Sequence, residues 1–108
     1  MKALLLTIAA AGSMLVAAQA NAVDAKAAEA LAQKSGCLAC HSVEKKVIGP
    51  AYKDVAAKYK GDKGAEARLV AKVKAGGGGV WGPMAMPAMG AQVKEADITT
   101  VVQWVLSL

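Results

Sequence analysis

Cys37-Leu38-Ala39-Cys40-His41 is the stretch that most restricts what this chain can become. Two thiols three positions apart, followed at once by an imidazole, have the spacing that attaches haem covalently through two thioethers with the histidine on the iron. Other uses of the same residues account for less. A thiol–disulfide redox pair normally sits beside a strand–helix–strand pattern, and the chain carries little strand signal. A structural zinc site takes four ligands, whereas the chain has two Cys and one His in all. A plain disulfide across so short a loop would remove almost no chain entropy, and it would leave His41 without a role. Haem attachment uses all three residues at once.

The N-terminus bears on where such a reaction could occur. Lys2 supplies one positive charge, Ala3 to Ala18 is an almost unbroken apolar run, and Ala20-Asn21-Ala22 is a small-x-small site. This is the layout of a secretory signal peptide over residues 1–22, with cleavage after Ala22 or, as second choice, after Ala20. A retained membrane anchor fits less well, because Thr7, Gly12 and Ser13 interrupt a run already short of a full span. Export would carry the two cysteines into an oxidising compartment.

The remaining residues, 23–108, suffice for one small domain. There is no Phe, and Tyr52, Tyr59, Trp81 and Trp104 are the only aromatics. A core of Ala, Val and Leu lacks one large apolar body, which a porphyrin would provide. The whole chain has a formal charge of +5, to which Lys2 contributes one unit. The basic residues are interspersed, with no run beyond Lys45-Lys46 and no aromatics between them, so nucleic acid is not expected as a partner. A partner with an acidic face is.

Periodicity predicts an all-α domain. Asp24 caps a first helix from Ala25 to about Ser35, with Ala28, Leu31 and Ala32 on one face and Gly36 as its stop. Gly49-Pro50 opens a second short helix through Tyr59, and a third runs from about Ala65 to Ala75. Gly76 to Gln92 shows no periodicity and reads as a loop that begins with a flexible four-glycine run. The last helix, from about Lys94 to Leu106, carries Ile98, Val101, Val102 and Val105 as an apolar stripe whose natural partner is the first helix.

Taken with the haem motif, three further blocks carry a resemblance: Gly49-Pro50-Ala51-Tyr52-Lys53-Asp54-Val55-Ala56, then Gly79-Val80-Trp81-Gly82-Pro83 with Met86-Pro87, then Trp104-Val105-Leu106-Ser107. In this order, over nearly all of residues 23–108, the chain resembles the short bacterial class I c-type cytochromes, and within them the cytochrome c-five-fifty-one type. The resemblance implies a small class I cytochrome c fold, four or so short helices around one haem c attached through Cys37 and Cys40. It also implies Met86 as the second axial ligand beside His41, with Met84 next in line. A thioether is a soft, neutral ligand that favours ferrous iron, and two filled axial positions exclude dioxygen.

By the same resemblance, the Pro50 carbonyl accepts the other ring N–H of His41, the Trp81 indole binds a haem propionate, and Lys72 pairs with one. Trp104 is expected to serve packing alone. The chain departs from the family pattern at Ala85 and Ala88, where prolines are common, and at Ala32, where relatives carry a larger apolar residue. Its loop over residues 88–92 is about two residues longer, which leaves the path of that loop undefined.

The expected function is one-electron transfer as a periplasmic carrier, a monomer without a membrane span after cleavage. Its partners would be a terminal oxidase, a nitrite reductase or a quinol–cytochrome oxidoreductase. Lys34, Lys45, Lys46 and Lys74 are candidates to steer the encounter. The alternative is a haem-based sensor or peroxidase in which the sixth ligand is labile.

Overall fold

The computed structural model describes residues 23–108; the signal peptide expected over residues 1–22 lies outside them. The described residues form four helices, α1 (Ala25–Lys34), α2 (Tyr52–Lys58), α3 (Ala65–Ala75) and α4 (Glu95–Leu106), in the all-α arrangement expected.

Helix α1 starts where Asp24 can cap it. The Asp24 carboxylate accepts from the backbone N–H of Lys26 at 3.0 Å and of Ala27 at 3.3 Å, two of the donors that a helix start leaves without an intrahelical partner. Gly36 ends the segment at a φ of 82°, a left-handed conformation that glycine adopts without strain. A single 3-10 turn, Cys37–Ala39, follows directly. Sequence reading missed this turn, which presents the two cysteines instead of the helix end.

Helix α2 begins at Tyr52 and not at Gly49-Pro50, and the reason is visible in its first turn. Ala51 is extended, with φ −59° and ψ 140°, and no side chain caps the helix. The N–H groups of Tyr52 and Lys53 donate instead to the carbonyls of Ser42 and Val43, at 2.9 and 3.1 Å. The start of α2 is thereby docked on the residues just after the cysteine–histidine motif. Gly49 and Pro50 are left outside the helix, where they do something else.

Helix α4 lies against the other three, most extensively α3 and then the expected partner α1. Its Ile98, Val101, Val102, Trp104 and Val105 are all buried. Val101, Trp104 and Val105 pack with Ala28 and Ala32 of α1 and with Tyr52 and Val55 of α2, while Ile98 and Val102 pack with Val70 of α3. Ala28 and Ala32 are 0 % exposed, so small residues let α1 come close to α4. No large side chain among the described residues is sealed to that degree.

The loop over residues 76–93 is tied down more tightly than a glycine-rich tract suggests. Met89 and Gly90 donate their N–H groups to the Val73 and Lys74 carbonyls of α3, at 2.9 and 3.2 Å. Those carbonyls belong to the last turn of α3, which has no helical N–H left for them. The path that the sequence left undefined over residues 88–92 is set by this pairing. Among the described residues, no helix is long and apolar enough to cross a membrane.

Candidate functional site

Gly49 and Pro50, left outside α2, shape the surroundings of His41. The Nδ1 of His41 lies 2.8 Å from the carbonyl oxygen of Pro50. A carbonyl can only accept, so Nδ1 is the donor, and in the neutral ring Nε2 is the nitrogen with the lone pair. Gly49 makes room for this. A Cβ at that position would stand 2.5 Å from the His41 Cε1 and under 3 Å from both ring nitrogens. On the other hand Tyr52 stacks on the ring, with centroids 4.9 Å apart and planes 19° apart, and Trp104 meets Tyr52 edge-on at 5.6 Å. The imidazole is held by a hydrogen bond, a missing side chain and an aromatic face. Neither Gly49 nor Tyr52 was singled out from sequence as touching the histidine, although both stand in the Gly-Pro block whose spacing drew attention.

The thiols of Cys37 and Cys40, the His41 ring and Met86 all line one cleft, walled by Val55 of α2, Leu69 and Val73 of α3, and Val101 and Val105 of α4. Both cysteines are half-buried with unpaired sulfurs. Burial pushes the Cys37 thiol above its ordinary pKa, against a smaller opposing pull from the Tyr52 hydroxyl. The attacking cysteine of a thiol–disulfide enzyme is shifted the other way, toward the thiolate. Burial also raises the Tyr52 hydroxyl, with Cys37 adding in the same direction.

Met86 comes to the cleft from the loop after α3. Its N–H donates to the Gly77 carbonyl and its carbonyl accepts from the Gly77 N–H, both at 2.9 Å. This antiparallel bridge fixes the backbone on both sides of the methionine side chain. Met84 and Met89 also line the cleft, but Met84 is 69 % exposed.

Lys72 and Trp81 border the same cleft. The Lys72 ammonium makes a long contact with the Gly78 carbonyl at 3.5 Å. Trp81 is partly exposed, with the Lys58 ammonium 5.5 Å from its ring centroid. Of the lysines expected at the docking edge, Lys74 is engaged with Glu95 at 2.8 Å. Lys45 and Lys46 are exposed beside exposed Val47 and Ile48, and Ile48 borders the cleft.

An imidazole, two unpaired thiols and a methionine with a tethered backbone around one apolar cleft are groups that fit a covalently held haem. A match to the cytochrome c family extends over residues 25–108, nearly all of the described chain. The chain belongs to the cytochrome c family. It is 57 % identical over 95 residues to cytochrome c-551 of Allochromatium vinosum, covering 88 % of this chain and all of that protein. Cytochrome c-551 of Pseudomonas aeruginosa is 46 % identical over 103 residues, with 95 % of this chain and 93 % of that one covered. Among solved structures, wild-type cytochrome c552 of Nitrosomonas europaea superposes with a TM-score of 0.71 at 46 % identity, over 74 % of this chain and 98 % of that one. This chain is therefore a class I c-type cytochrome of the c-551 type, with one haem c attached at Cys37 and Cys40. Its relatives are cytochromes c, electron carriers that act with redox partners.

Proposed function

We propose that this cytochrome is an exported one-electron carrier of a respiratory chain, with His41 and Met86 as the axial ligands of its iron. When bound, haem supplies a reversible ferric–ferrous couple, and the chain provides orientation, ligand set and access. The observation that carries the reading is the pair of separately built ligand positions. His41 lines the cleft with Nδ1 committed to the Pro50 carbonyl, which leaves Nε2 as its ligating nitrogen. Met86 is held there by both of its backbone hydrogen bonds to Gly77.

No acid, base or nucleophile is required of the protein for this task. Its work is to keep the coordination the same in both redox states, so that little has to rearrange when an electron arrives. A methionine pinned on both sides supports a carrier over a sensor or peroxidase, whose sixth position must open. Cys37 and Cys40 hold the group in register with His41, while Pro50 keeps the imidazole basic and oriented. Trp81 and Lys72, at the rim, are suited to bind the haem propionates. Lys45 and Lys46 flank an apolar edge at Val47 and Ile48, a surface suited to an acidic-rimmed partner such as a terminal oxidase, a nitrite reductase or a quinol–cytochrome oxidoreductase.

Export through a signal peptide over residues 1–22, cleavage there and action as a periplasmic monomer belong to the same proposal. Expression of the whole chain in a bacterium that matures c-type cytochromes tests it. The expected product is a periplasmic protein beginning near Val23 whose haem stays with the polypeptide in acid acetone. It should cycle reversibly between redox states without binding carbon monoxide or consuming peroxide. Ready reaction with either reagent would favour the sensor or peroxidase.

A further inference from the structure

The four-glycine run over residues 76–79 is the one sequence motif that the function has not absorbed. As a flexible linker it would make no close contacts. The structure has the reverse: three of the four glycines lie directly under the segment that carries Met86. A Cβ at Gly76 would stand 2.6 Å from the Met86 carbonyl oxygen, 2.7 Å from the Ala88 nitrogen and 2.9 Å from the Pro87 carbonyl carbon. All three are backbone atoms, which cannot swing aside as a side-chain tip can. Gly77 exchanges both hydrogen bonds with Met86, at a φ of 118° that other residues rarely adopt. A Cβ at Gly78 would come within 3.3 Å of the Ala85 Cα and the Met84 carbonyl oxygen.

We propose that Gly76, Gly77 and Gly78 are positioning residues for Met86: their bare backbone is the surface on which residues 84–88 lie, and it sets how far the thioether reaches into the cleft. The inference rests on the reading of Met86 as an iron ligand and goes beyond it. Two packed backbones without intervening side chains leave the methionine segment no slack, because there is no rotamer on the glycine side to give way. A side chain at Gly76 must lift the chain at residues 86–88 away from α3. Gly79 has a different part. A Cβ there meets nothing within 4 Å, so its φ of 100° makes it a turn residue and not part of this surface.

Gly61 provides an internal control. It lies between α2 and α3 at a φ of 80°, close to the 71° of Gly76, and a Cβ on it would meet nothing within 4 Å. Gly61→Ala adds a side chain at positive φ without touching the Met86 segment. Gly76, at φ 71° and ψ −165°, stands in a region that glycine alone populates, so Gly76→Ala combines backbone strain with its contacts and Gly78→Ala isolates the contact. In the ferric holoproteins, Gly76→Ala should lose most of the deep-red thioether-to-iron charge-transfer band and Gly61→Ala should keep it. If the open-ligand fraction rises tenfold in Gly76→Ala, apparent carbon monoxide affinity rises by about the same factor.

Gly78→Ala, with contacts of 3.3 Å and no positive φ, should show a smaller change in the same direction and decides the matter should Gly76→Ala not yield holoprotein. An undiminished band in Gly76→Ala, or equal weakening in Gly61→Ala, would overturn the proposal. So would a Gly78→Ala protein indistinguishable from wild type when Gly76→Ala cannot be made. Absence of the band from the wild-type protein would instead remove the Met86 assignment itself, a separate result.

Discussion

His41 and Pro50 are joined by a 2.8 Å hydrogen bond from the imidazole Nδ1 to a backbone carbonyl that no helix uses. The bond exists because α2 starts two residues later than a Gly-Pro step suggests, its first N–H groups being taken by Ser42 and Val43. This helix start therefore frees the Pro50 carbonyl, orients the histidine and docks Ser42 and Val43 on α2.

The fit of the ring against Gly49 can be probed alone. Gly49→Ala puts a Cβ 2.5 Å from an imidazole that Pro50 and Tyr52 prevent from moving. Overpacking of this kind costs about 1–3 kcal/mol. A guanidinium titration of the holoprotein should show a lower midpoint, and an unchanged midpoint would mean that the ring has room that the structure does not give it.

How much of this was legible beforehand depends on the range of the interaction. The span of α3 and the ends of α1 and α4, within about a residue, follow from local signals: Asp24 as a cap, Gly36 as a stop, and the spacing of Ile98, Val101, Val102 and Val105. The start of α2 did not, because its N–H partners lie ten residues back in the chain. Gly49 and the glycines over residues 76–78 were read as a helix opener and a linker. What they do depends on the His41 ring and the Met86 backbone, which no window of sequence places beside them. The cysteine–histidine motif was legible because its chemistry needs its residues adjacent.

Loss of either anchoring cysteine should remove most of the mature protein. With no large side chain fully sealed among the described residues, the core depends on the group that Cys37 and Cys40 hold. Cys37→Ala and Cys40→Ala should each give little holoprotein by haem stain of whole-cell extracts. Normal yields of folded, haem-free chain would contradict this account of the core.

Trp104 should matter through Tyr52 as well as through its own volume. It is 4 % exposed and meets Tyr52 edge-on, and Tyr52 stacks on His41. Replacing a buried Trp by Ala costs about 3–5 kcal/mol, a large part of the stability of so small a domain. Thermal unfolding of Trp104→Ala holoprotein should occur well below that of wild type, and a shift of only a degree or two would show that the haem alone sustains the core.

Salt should slow the encounter with an acidic partner. Screening sets in over about 8 Å at physiological ionic strength, so exposed Lys45 and Lys46 beside the cleft should steer docking only at low salt. Stopped-flow rates should fall as salt rises, and Lys45→Gln/Lys46→Gln should flatten that dependence. Lys74→Gln should have less effect, since Lys74 already pairs with Glu95. A rate indifferent to salt would assign docking to the apolar edge at Val47 and Ile48.

The most direct measurement is the ferric absorption spectrum of Met86→Ala beside Met84→Ala and Met89→Ala. Pro87 biases Met86 toward an extended backbone, and Gly77 holds it by two hydrogen bonds, whereas the Met84 side chain is largely exposed. The account predicts that the deep-red thioether-to-iron band disappears in Met86→Ala alone, together with a fall in reduction potential and new binding of carbon monoxide. Persistence of the band in Met86→Ala and its loss in Met84→Ala would contradict the ligand assignment, and a wild-type protein that lacks the band and binds carbon monoxide readily would contradict the carrier.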